Sequence, residues 1–278
     1  MLLFLLIKNG TSWQMLKYVH TLTFIRRRTM TKKVLITGAN RGIGFETARQ
    51  LAHQGWYVLL GVRNIQRGQT ALAKLNAENL SNVELIHIDL NNLETLDEAV
   101  TEVNRHHPDL QVIVNNAGIA GDMNKGPLDF SAKELDNLMK VNVEGNFEMI
   151  KQFTPILAKN QGKIVCLTIP TIINNFFKPF GYLTSKSALN TLIKLIGNDY
   201  KQNHIPVEVF GVIPGGVTTD LNDHMSGWMM HSVEEGGQII AAAVNDAHNH
   251  QGKIINRMGI VSLGAKHIWS KIKPTHKS

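Results

Sequence analysis

Short apolar runs alternate along the chain with longer segments in which apolar residues recur at helical spacing. The runs are rich in β-branched residues, which predicts buried strands. They occupy residues 33–37, 56–62, 83–88, 111–115, 163–167 and 206–213, with a further candidate at 252–255. The helices predicted between them include one through 54, one over 141–159, one from 182 to about 203 and one over 233–247. This order predicts an α/β fold in a single domain, a doubly wound parallel sheet that binds ligands at the carboxyl ends of its strands.

A glycine-rich turn joins the first predicted strand to the first predicted helix. Its sequence is Gly38-Ala39-Asn40-Arg41-Gly42-Ile43-Gly44. Glycines let the backbone approach a pyrophosphate closely, and a helix N-terminus presents free N–H groups and a positive dipole to phosphates. The spacing also fits a plain strand-to-helix turn, but the strand before it and the helix after it are the context that a dinucleotide site requires. The turn is therefore predicted to bind the phosphates of a dinucleotide.

The second predicted strand ends where a dinucleotide-binding fold presents the residue that contacts the adenosine ribose. An acidic residue there would bind the 2′-hydroxyl of NAD, but this chain has Arg63, with Arg67 nearby and Arg41 in the glycine turn. Guanidinium groups match a 2′-phosphate in charge and in their forked geometry. The sequence favours NADP(H) over NAD(H), and the alternative is that Arg63 is an ordinary surface arginine.

Tyr182 and Lys186 lie four residues apart in a predicted helix, so their side chains share one face. The pKa of tyrosine is about 10, and a neighbouring ammonium favours the phenolate. The pair can exchange a proton near neutral pH if a substrate and an electron carrier lie beside it. Two ordinary helix residues are the alternative, but the glycine turn favours the chemical interpretation.

Several predicted strands are followed by polar or turn-forming residues, namely Asp89, Asn116, Thr168 and Pro214. The carboxyl ends of parallel strands meet at one edge of a sheet, so these residues are expected around a common ligand.

Together these motifs resemble the classical short-chain dehydrogenase/reductase family over about residues 32–240. The matching segments are Thr37-Gly38-x-x-x-Gly42-Ile43-Gly44, Asp89-Leu90, Asn115-Asn116-Ala117-Gly118, Asn142, Tyr182-x-x-x-Lys186 and Pro214-Gly215-Gly-Val217-Thr-Thr219. Residues 63–69 and 233–236 resemble the carbonyl-reductase-like members, many of which use NADPH. The resemblance implies a Rossmann fold and hydride transfer between the nicotinamide and a carbonyl or alcohol carbon. The leading hypothesis is NADPH-dependent reduction of a small or medium apolar aldehyde, ketone or quinone, and an alcohol dehydrogenase of the same fold that works mainly toward oxidation is an alternative.

The resemblance also implies roles for individual residues. Tyr182 would donate a proton to the substrate oxygen, Lys186 would lower the pKa of Tyr182 and hold the nicotinamide ribose, and Asn142 would support a water that leads to Lys186. A simple helix-kink amide is the alternative for Asn142. The implied cofactor-binding residues are Gly38, Asn40, Arg41, Gly42, Ile43, Gly44, Arg63, Asp89, Leu90, Asn116, Ala117, Gly118, Tyr182, Lys186, Pro214, Gly215, Val217 and Thr219.

One catalytic residue of the family is missing. The family has a serine about thirteen residues before the tyrosine, and this chain has Ile169 there. Thr168 is the candidate replacement if a one-residue shift brings its hydroxyl into place; a strand-end threonine without a chemical role is the alternative. Loss of a carbonyl-polarising donor would cost on the order of 10²–10³ in rate. A catalytically weak NADP-binding sensor or interaction protein is therefore the alternative function.

The net charge of +7 does not predict a nucleic-acid partner. Residues 1–30 contain five basic and no acidic side chains, which leaves +2 for the rest. The apolar run at 1–7 is too short to span a membrane. Residues 1–29 are interpreted as an extension that precedes the domain. Either translation starts at Met30 and the start has been assigned too early, or the segment is a mitochondrial transit peptide. The domain is predicted over 30–264, with a basic tail at 265–278.

The remaining expectations concern compartment, metal and partners. A lone cysteine, Cys166 in an apolar strand, favours inert packing and a reducing cytoplasm, or mitochondria if residues 1–29 are a transit peptide. The histidines lack zinc-ligand spacing, so no metal is predicted. Apolar residues at 228–230 either line a substrate pocket or pack a short helix. The expected partner is a small carbonyl or alcohol substrate. The resemblance leaves open a homo-oligomer that forms through the helices near Asn142 and Tyr182.

Overall fold

The computed structural model describes residues 4–9, 12–17, 31–171, 178–217 and 230–257. The chain divides into two compact units, Met1–Met30 and Thr31–Ser278. In the first unit, β1 (Phe4–Asn9) pairs antiparallel with β2 (Ser12–Lys17). No strand was expected there. The missed signal is the pair of residues Gly10-Thr11 between the two strands, because a glycine at the first of two loop residues is typical of hairpins.

Seven parallel strands form the sheet of the second unit. They are β3 (Lys33–Thr37), β4 (Tyr57–Val62), β5 (Val83–His87), β6 (Val112–Asn115), β7 (Lys163–Leu167), β8 (Glu208–Ile213) and β11 (Ile254–Asn256). Their order across the sheet is β11-β8-β7-β6-β3-β4-β5. All seven were expected from the apolar runs, and the doubly wound fold is confirmed. A separate parallel pair, β9 (Gly216–Val217) with β10 (Met230–His231), was not predicted.

The helices of the second unit are α1 (Gly42–His53), α2 (Ile65–Ala77), α3 (Glu94–His106), α4 (Ala132–Met139), α5 (Gly145–Lys159), α6 (Phe180–Gln202) and α7 (Val233–Asn245). A short 3-10 helix covers Pro127–Asp129, and a π-helical turn at Lys140–Glu144 joins α4 to α5. The predicted helix over 141–159 therefore begins too late. The missed signal is the capping box of Ser131 and Glu134, which starts α4. None of the described helices is both long and apolar enough to cross a membrane.

Helices cover the sheet on both faces. Leu35 of β3 is fully buried on the face of α3, α5 and α6, whereas its neighbours Val34 and Ile36 are buried on the face of α1, α2 and α7. Strands buried on both faces have continuous apolar sequences rather than alternating ones, which explains why they are recognisable as runs.

The connections change face between the two central strands β3 and β6. The crossovers through α1 and α2 lie on one face, and those through α3, α5 and α6 lie on the other. A doubly wound sheet opens a crevice where its connections diverge in this way, beyond the carboxyl ends of the two strands. The glycine turn follows β3, and Asn116 follows β6, so the fold places both predicted motifs at this crevice.

Candidate active site

The glycine turn has a backbone that side chains would obstruct. Gly38 and Gly42 have φ angles of +67° and +57°, in the left-handed region that favours glycine. A Cβ added to Gly44 would lie 2.4 Å from Nδ2 of Asn116 and 2.5 Å from the carbonyl oxygen of Gly38. No side chain caps α1 at Arg41. The N–H groups of its first turn therefore have no partner within the helix and are available to a ligand.

Asn116 connects the glycine turn to the end of β6 through hydrogen bonds. Its Nδ2 donates to the carbonyl oxygens of Thr37 (2.8 Å) and Gly38 (3.3 Å). The Thr37 hydroxyl in turn accepts from the backbone N–H groups of Asn116 (3.1 Å) and Ala117 (3.0 Å). These bonds fix the relative positions of the two strand ends. Thr37 belongs to the family motif recognised in the sequence, but no role of its own was predicted for it.

A pocket of about 220 Å³ opens over this edge of the sheet. The predicted cofactor-binding residues that line it are Gly38, Asn40, Arg41, Gly42, Ile43, Gly44, Arg63, Asp89, Leu90, Asn116, Ala117 and Gly118. Arg67, which was noted beside Arg63, also lines it, and the lining residues that were not predicted are Asn64, Ile88, Ile119 and Val141. Ile88 and Ile119 flank strand ends that were predicted, so the shared-edge argument could have included them.

Arginines surround one side of the pocket. Arg63 follows β4 directly, and Arg67 lies in the first turn of α2. Both side chains are exposed, and within the described ranges neither guanidinium group has an ion pair or hydrogen bond. Among the residues that line the pocket, the only carboxylate is that of Asp89. The positive charge on this side is therefore available to an anionic ligand.

Tyr182 and Lys186 are both buried in the first two turns of α6, with exposed fractions of 9% and 4%. The Lys186 Nζ lies 5.9 Å from the centre of the Tyr182 ring and donates to the carbonyl oxygen of Leu167 (2.9 Å). Burial raises the pKa of Tyr182 to about 12 and lowers the pKa of Lys186 to about 8. Burial disfavours the charged form of both groups, and the lowering of the Tyr182 pKa by Lys186 stays a prediction.

Asn142 is fully buried in the π-helical turn. Its Oδ1 accepts from the N–H of Ile119 (2.8 Å), and its Nδ2 donates to the Ile119 carbonyl oxygen (2.8 Å) and to the Ser185 hydroxyl (2.9 Å). A Cβ added to Gly118 would lie 3.0 Å from Asn142 Oδ1 and 3.7 Å from Lys186 Nζ. The fold thus brings Asn142, Gly118 and Lys186 together. The amide uses both of its donors within the protein, and its role in supporting a water stays a prediction.

The Thr168 hydroxyl is directed into the protein. Thr168 is 2% exposed, and its Oγ1 donates to Oδ1 of Asn190 (2.6 Å). Ile169, at the position of the family's serine, is partly exposed, and Thr171 is exposed. Polarisation of a carbonyl by Thr168 stays a prediction that requires this hydrogen bond to be exchanged for one to the substrate.

The predicted residues after β8 lie apart from the pocket lining. Pro214 and Gly215 do not belong to it, but Val217 lies beside the glycine turn. A Cβ added to Gly236 would lie 3.1 Å from the Val217 side chain and 3.3 Å from that of Ile43. Thr219 and the apolar residues Trp228 and Met229 lie outside the described residues.

Within the part of the chain that the structure describes, the remaining reactive side chains show no second site. In the described ranges, no group of three or more His, Cys, Asp or Glu side chains could hold a metal ion. Cys166 is fully buried, and burial raises the pKa of its thiol to about 12. A thiol in this state is a poor nucleophile, because the thiolate is the reactive form.

Comparisons with known proteins agree with this geometry. A family model described as short chain dehydrogenase matches residues 32–229. Gluconate 5-dehydrogenase of Gluconobacter oxydans (strain 621H) is 28% identical over 197 residues, which are 69% of this chain and 74% of that protein. Carbonyl reductase [NADPH] 1 of Mus musculus is 37% identical over 133 residues, 47% of this chain and 46% of that protein.

A solved structure shares the fold over most of the chain. The alcohol dehydrogenase from the archaeon Thermococcus sibiricus, complexed with 5-hydroxy-NADP, superposes with a TM-score of 0.72 and 25% sequence identity. The match covers 81% of this chain and 95% of that one.

Proposed function

The chain belongs to the short-chain dehydrogenase/reductase family of oxidoreductases, and we propose that it is an NADP(H)-dependent reductase of a small or medium apolar aldehyde, ketone or quinone. The observation that carries the proposal is the pair of Tyr182 and Lys186, buried at the same sheet edge as the glycine turn. The partly exposed Ile169 gives that edge an apolar side chain, which favours an apolar substrate.

The residues of the pocket fit a nicotinamide dinucleotide. The glycine turn leaves a cradle that an added Cβ at Gly44 would fill, and the first turn of α1 offers N–H groups to a pyrophosphate. Asp89 and Leu90 would flank the adenine. When bound, the cofactor supplies or accepts the hydride.

The arginine side of the pocket supports NADP(H). Arg41, Arg63 and Arg67 line it, and a 2′-phosphate would receive forked hydrogen bonds from guanidinium groups. The mouse relative is named for NADPH, and the archaeal alcohol dehydrogenase was solved with an NADP derivative. These relatives support the same preference in this chain.

The protonation states of the pair favour reduction. With a pKa of about 12, Tyr182 keeps its proton at neutral pH and can donate it to the oxygen of a carbonyl substrate as that oxygen gains negative charge. Lys186, with a pKa of about 8, gains and loses a proton much closer to neutral pH. We assign proton donation to Tyr182 and proton resupply to Lys186, whose position depends on the Leu167 carbonyl.

Cofactor consumption tests the proposal, and Arg63→Asp sharpens it. With protein starting at Met30 and a panel of aldehydes, ketones and quinones, we expect faster turnover with NADPH than with NADH.

Arg63→Asp should shift the NADPH/NADH ratio of kcat/KM by about 10- to 100-fold toward NADH, because a carboxylate repels a 2′-phosphate and binds a 2′-hydroxyl. Lys74→Asp, an equal charge change in the last turn of α2, is the control. An unchanged ratio in Arg63→Asp would remove Arg63 from the 2′-phosphate site.

Gly44→Ala should weaken NADPH binding by about 100-fold, as expected when a binding group is displaced by roughly 1 Å. The new Cβ would collide with the Gly38 carbonyl oxygen and with an Asn116 amide that is already held by Thr37, so the turn itself must shift. Fluorescence titration with NADPH measures the loss. Gly126→Ala is the control, since its Cβ would meet only Asp129 Oδ2, at 3.1 Å. Wild-type affinity in Gly44→Ala would show that the turn does not hold the cofactor.

A catalytically weak NADP-binding protein is the second candidate. The observation in its favour is Ile169 at the serine position together with a Thr168 proton that is donated to Asn190. The two candidates differ in the response expected to a serine at position 169.

A further inference from the structure

Tyr182, Lys186 and Asn190 form one stripe along α6. They are spaced four residues apart, which places their side chains on the same face of the helix. All three are buried, and Lys186 and Asn190 bond to the chain where β7 ends. The proposed function uses Tyr182 and Lys186 for proton transfer but gives Asn190 no role.

Asn190 forms hydrogen bonds to the two residues that follow β7. Its Nδ2 donates to the carbonyl oxygen of Ile169 (3.2 Å), and its Oδ1 accepts from the hydroxyl of Thr168 (2.6 Å). A carbonyl oxygen can only accept, so it determines which end of the Asn190 amide is the nitrogen. The Thr168 hydroxyl must then be the donor, and its proton is not available to a substrate.

These hydrogen bonds lie next to the backbone carbonyl that accepts a hydrogen bond from Lys186. Leu167, the last residue of β7, accepts from Lys186 Nζ (2.9 Å), and the N–H of Thr168 still bonds to the Val212 carbonyl oxygen of β8 (2.9 Å). Asn190 supports the chain just beyond this last sheet bond. Three consecutive residues are thus bonded to one face of α6, and movement of the third would disturb the first.

We propose that Asn190 is a positioning residue for Lys186. By fixing Thr168 and Ile169 it fixes the adjoining Leu167 carbonyl, and so the place of the Lys186 ammonium beside Tyr182. It also holds the Thr168 proton away from the substrate. The inference rests on the proposed function insofar as Lys186 assists Tyr182, but the position of Lys186 is measurable without turnover.

The test follows the titration of Lys186 by NMR in protein labelled with ¹³C at the lysine ε-carbon, without added cofactor. The wild-type midpoint is expected near pH 8, since burial lowers the pKa of Lys186 to about 8. Asn190→Leu removes both hydrogen bonds at similar side-chain volume. We expect its Lys186 midpoint to rise toward the ordinary lysine value, because a loosened strand end admits water. Its kcat should fall about 10- to 100-fold, as for a small misplacement of a catalytic group.

Asn190→Asp separates charge from position. It keeps an acceptor for Thr168, replaces the donor to Ile169 by a carboxylate, and should raise the Lys186 midpoint by about one pH unit or more. Asn160→Leu is the matched control. Asn160 also donates to backbone carbonyls, those of Pro108 (2.8 Å) and Leu110 (3.1 Å), but beside the amino ends of the strands. It should lose stability without changing the Lys186 titration.

A folded Asn190→Leu protein with wild-type Lys186 titration and kcat would overturn the inference. If that variant does not fold, an unchanged titration in both Asn190→Asp and Thr168→Val has the same meaning. A shifted Lys186 titration combined with turnover that survives Tyr182→Phe would contradict the proposed function and leave the positioning role of Asn190 standing.

Discussion

Tyr182→Phe is expected to lower kcat for carbonyl reduction by about 10²–10⁴, the contribution typical of a positioned general acid. The Tyr182 hydroxyl makes no hydrogen bond to the described part of the chain, so its removal breaks no described protein contact. The ring stays packed, and NADPH affinity should remain within about twofold of wild type, because Tyr182 is not among the residues that line the pocket. Steady-state kinetics and fluorescence titration on the same samples measure the two quantities.

Alkaline unfolding gives an independent measurement on the same variant. The pKa of Tyr182 rises from 10.0 to about 12 on folding, so between these values the folded protein binds more protons than the unfolded chain. The wild type should therefore lose stability as the pH rises from 10 to 12. Tyr182→Phe should lack this part of the loss. A difference of the opposite sign would show that the tyrosine is not protonated in its buried position.

Tyr200→Phe is the control for Tyr182→Phe. Tyr200 lies on the same helix, is 8% exposed and is hydrogen-bonded to Thr154, but it follows Tyr182 by five turns of the helix. It should keep full activity. Turnover that survives in Tyr182→Phe would exclude Tyr182 as the essential acid, whatever the control shows.

Ile169→Ser is the variant expected to gain activity. If the site lacks a donor that polarises the carbonyl, a serine at the family's position should raise kcat by up to about 10²–10³, the value of one such donor. Ile169 is partly exposed and its carbonyl oxygen is held by Asn190, so the substitution leaves that backbone bond in place. The assay is the same substrate panel with NADPH.

Two further variants interpret the Ile169→Ser result. Ile169→Ala removes the bulk without adding a hydroxyl, so a gain shared by both variants would reflect pocket size and not polarisation. Thr168→Val removes the hydroxyl that is bonded to Asn190. A large loss in Thr168→Val with an unchanged Lys186 titration, and with no gain in Ile169→Ser, would show that Thr168 already replaces the serine. Activity from Ile169→Ser in an otherwise inactive protein would favour the weak binding protein as the natural state.

The parts of the fold that were predicted depend on local patterns. The seven strands of the main sheet were recognisable because a sheet covered on both faces needs continuous apolar runs. The start of α4 at Ala132 was missed, although the capping box of Ser131 and Glu134 marks it. The hairpin of β1 and β2 was not predicted because residues 1–29 were interpreted as an extension, although the glycine of Gly10-Thr11 is a hairpin signal.

The candidate-site residues that directly follow a predicted strand could be predicted from the sequence. The glycine turn, Asp89 and Asn116 line one pocket, as the shared sheet edge required. Asn190 was not predictable in the same way. A buried asparagine in a helix has no sequence signature, and its bond to Thr168 joins residues 22 positions apart.

By itself, the sequence determined the parallel sheet, the phosphate-binding type of the turn and the side-by-side placement of Tyr182 and Lys186. Each of these follows from residues close together in the chain, through strand burial, backbone freedom and helical spacing. Only the tertiary structure decided that burial raises the pKa of Tyr182 and that the Thr168 proton is donated to Asn190. Desolvation and hydrogen-bond partners are supplied by segments that the fold brings together, so no local pattern encodes them.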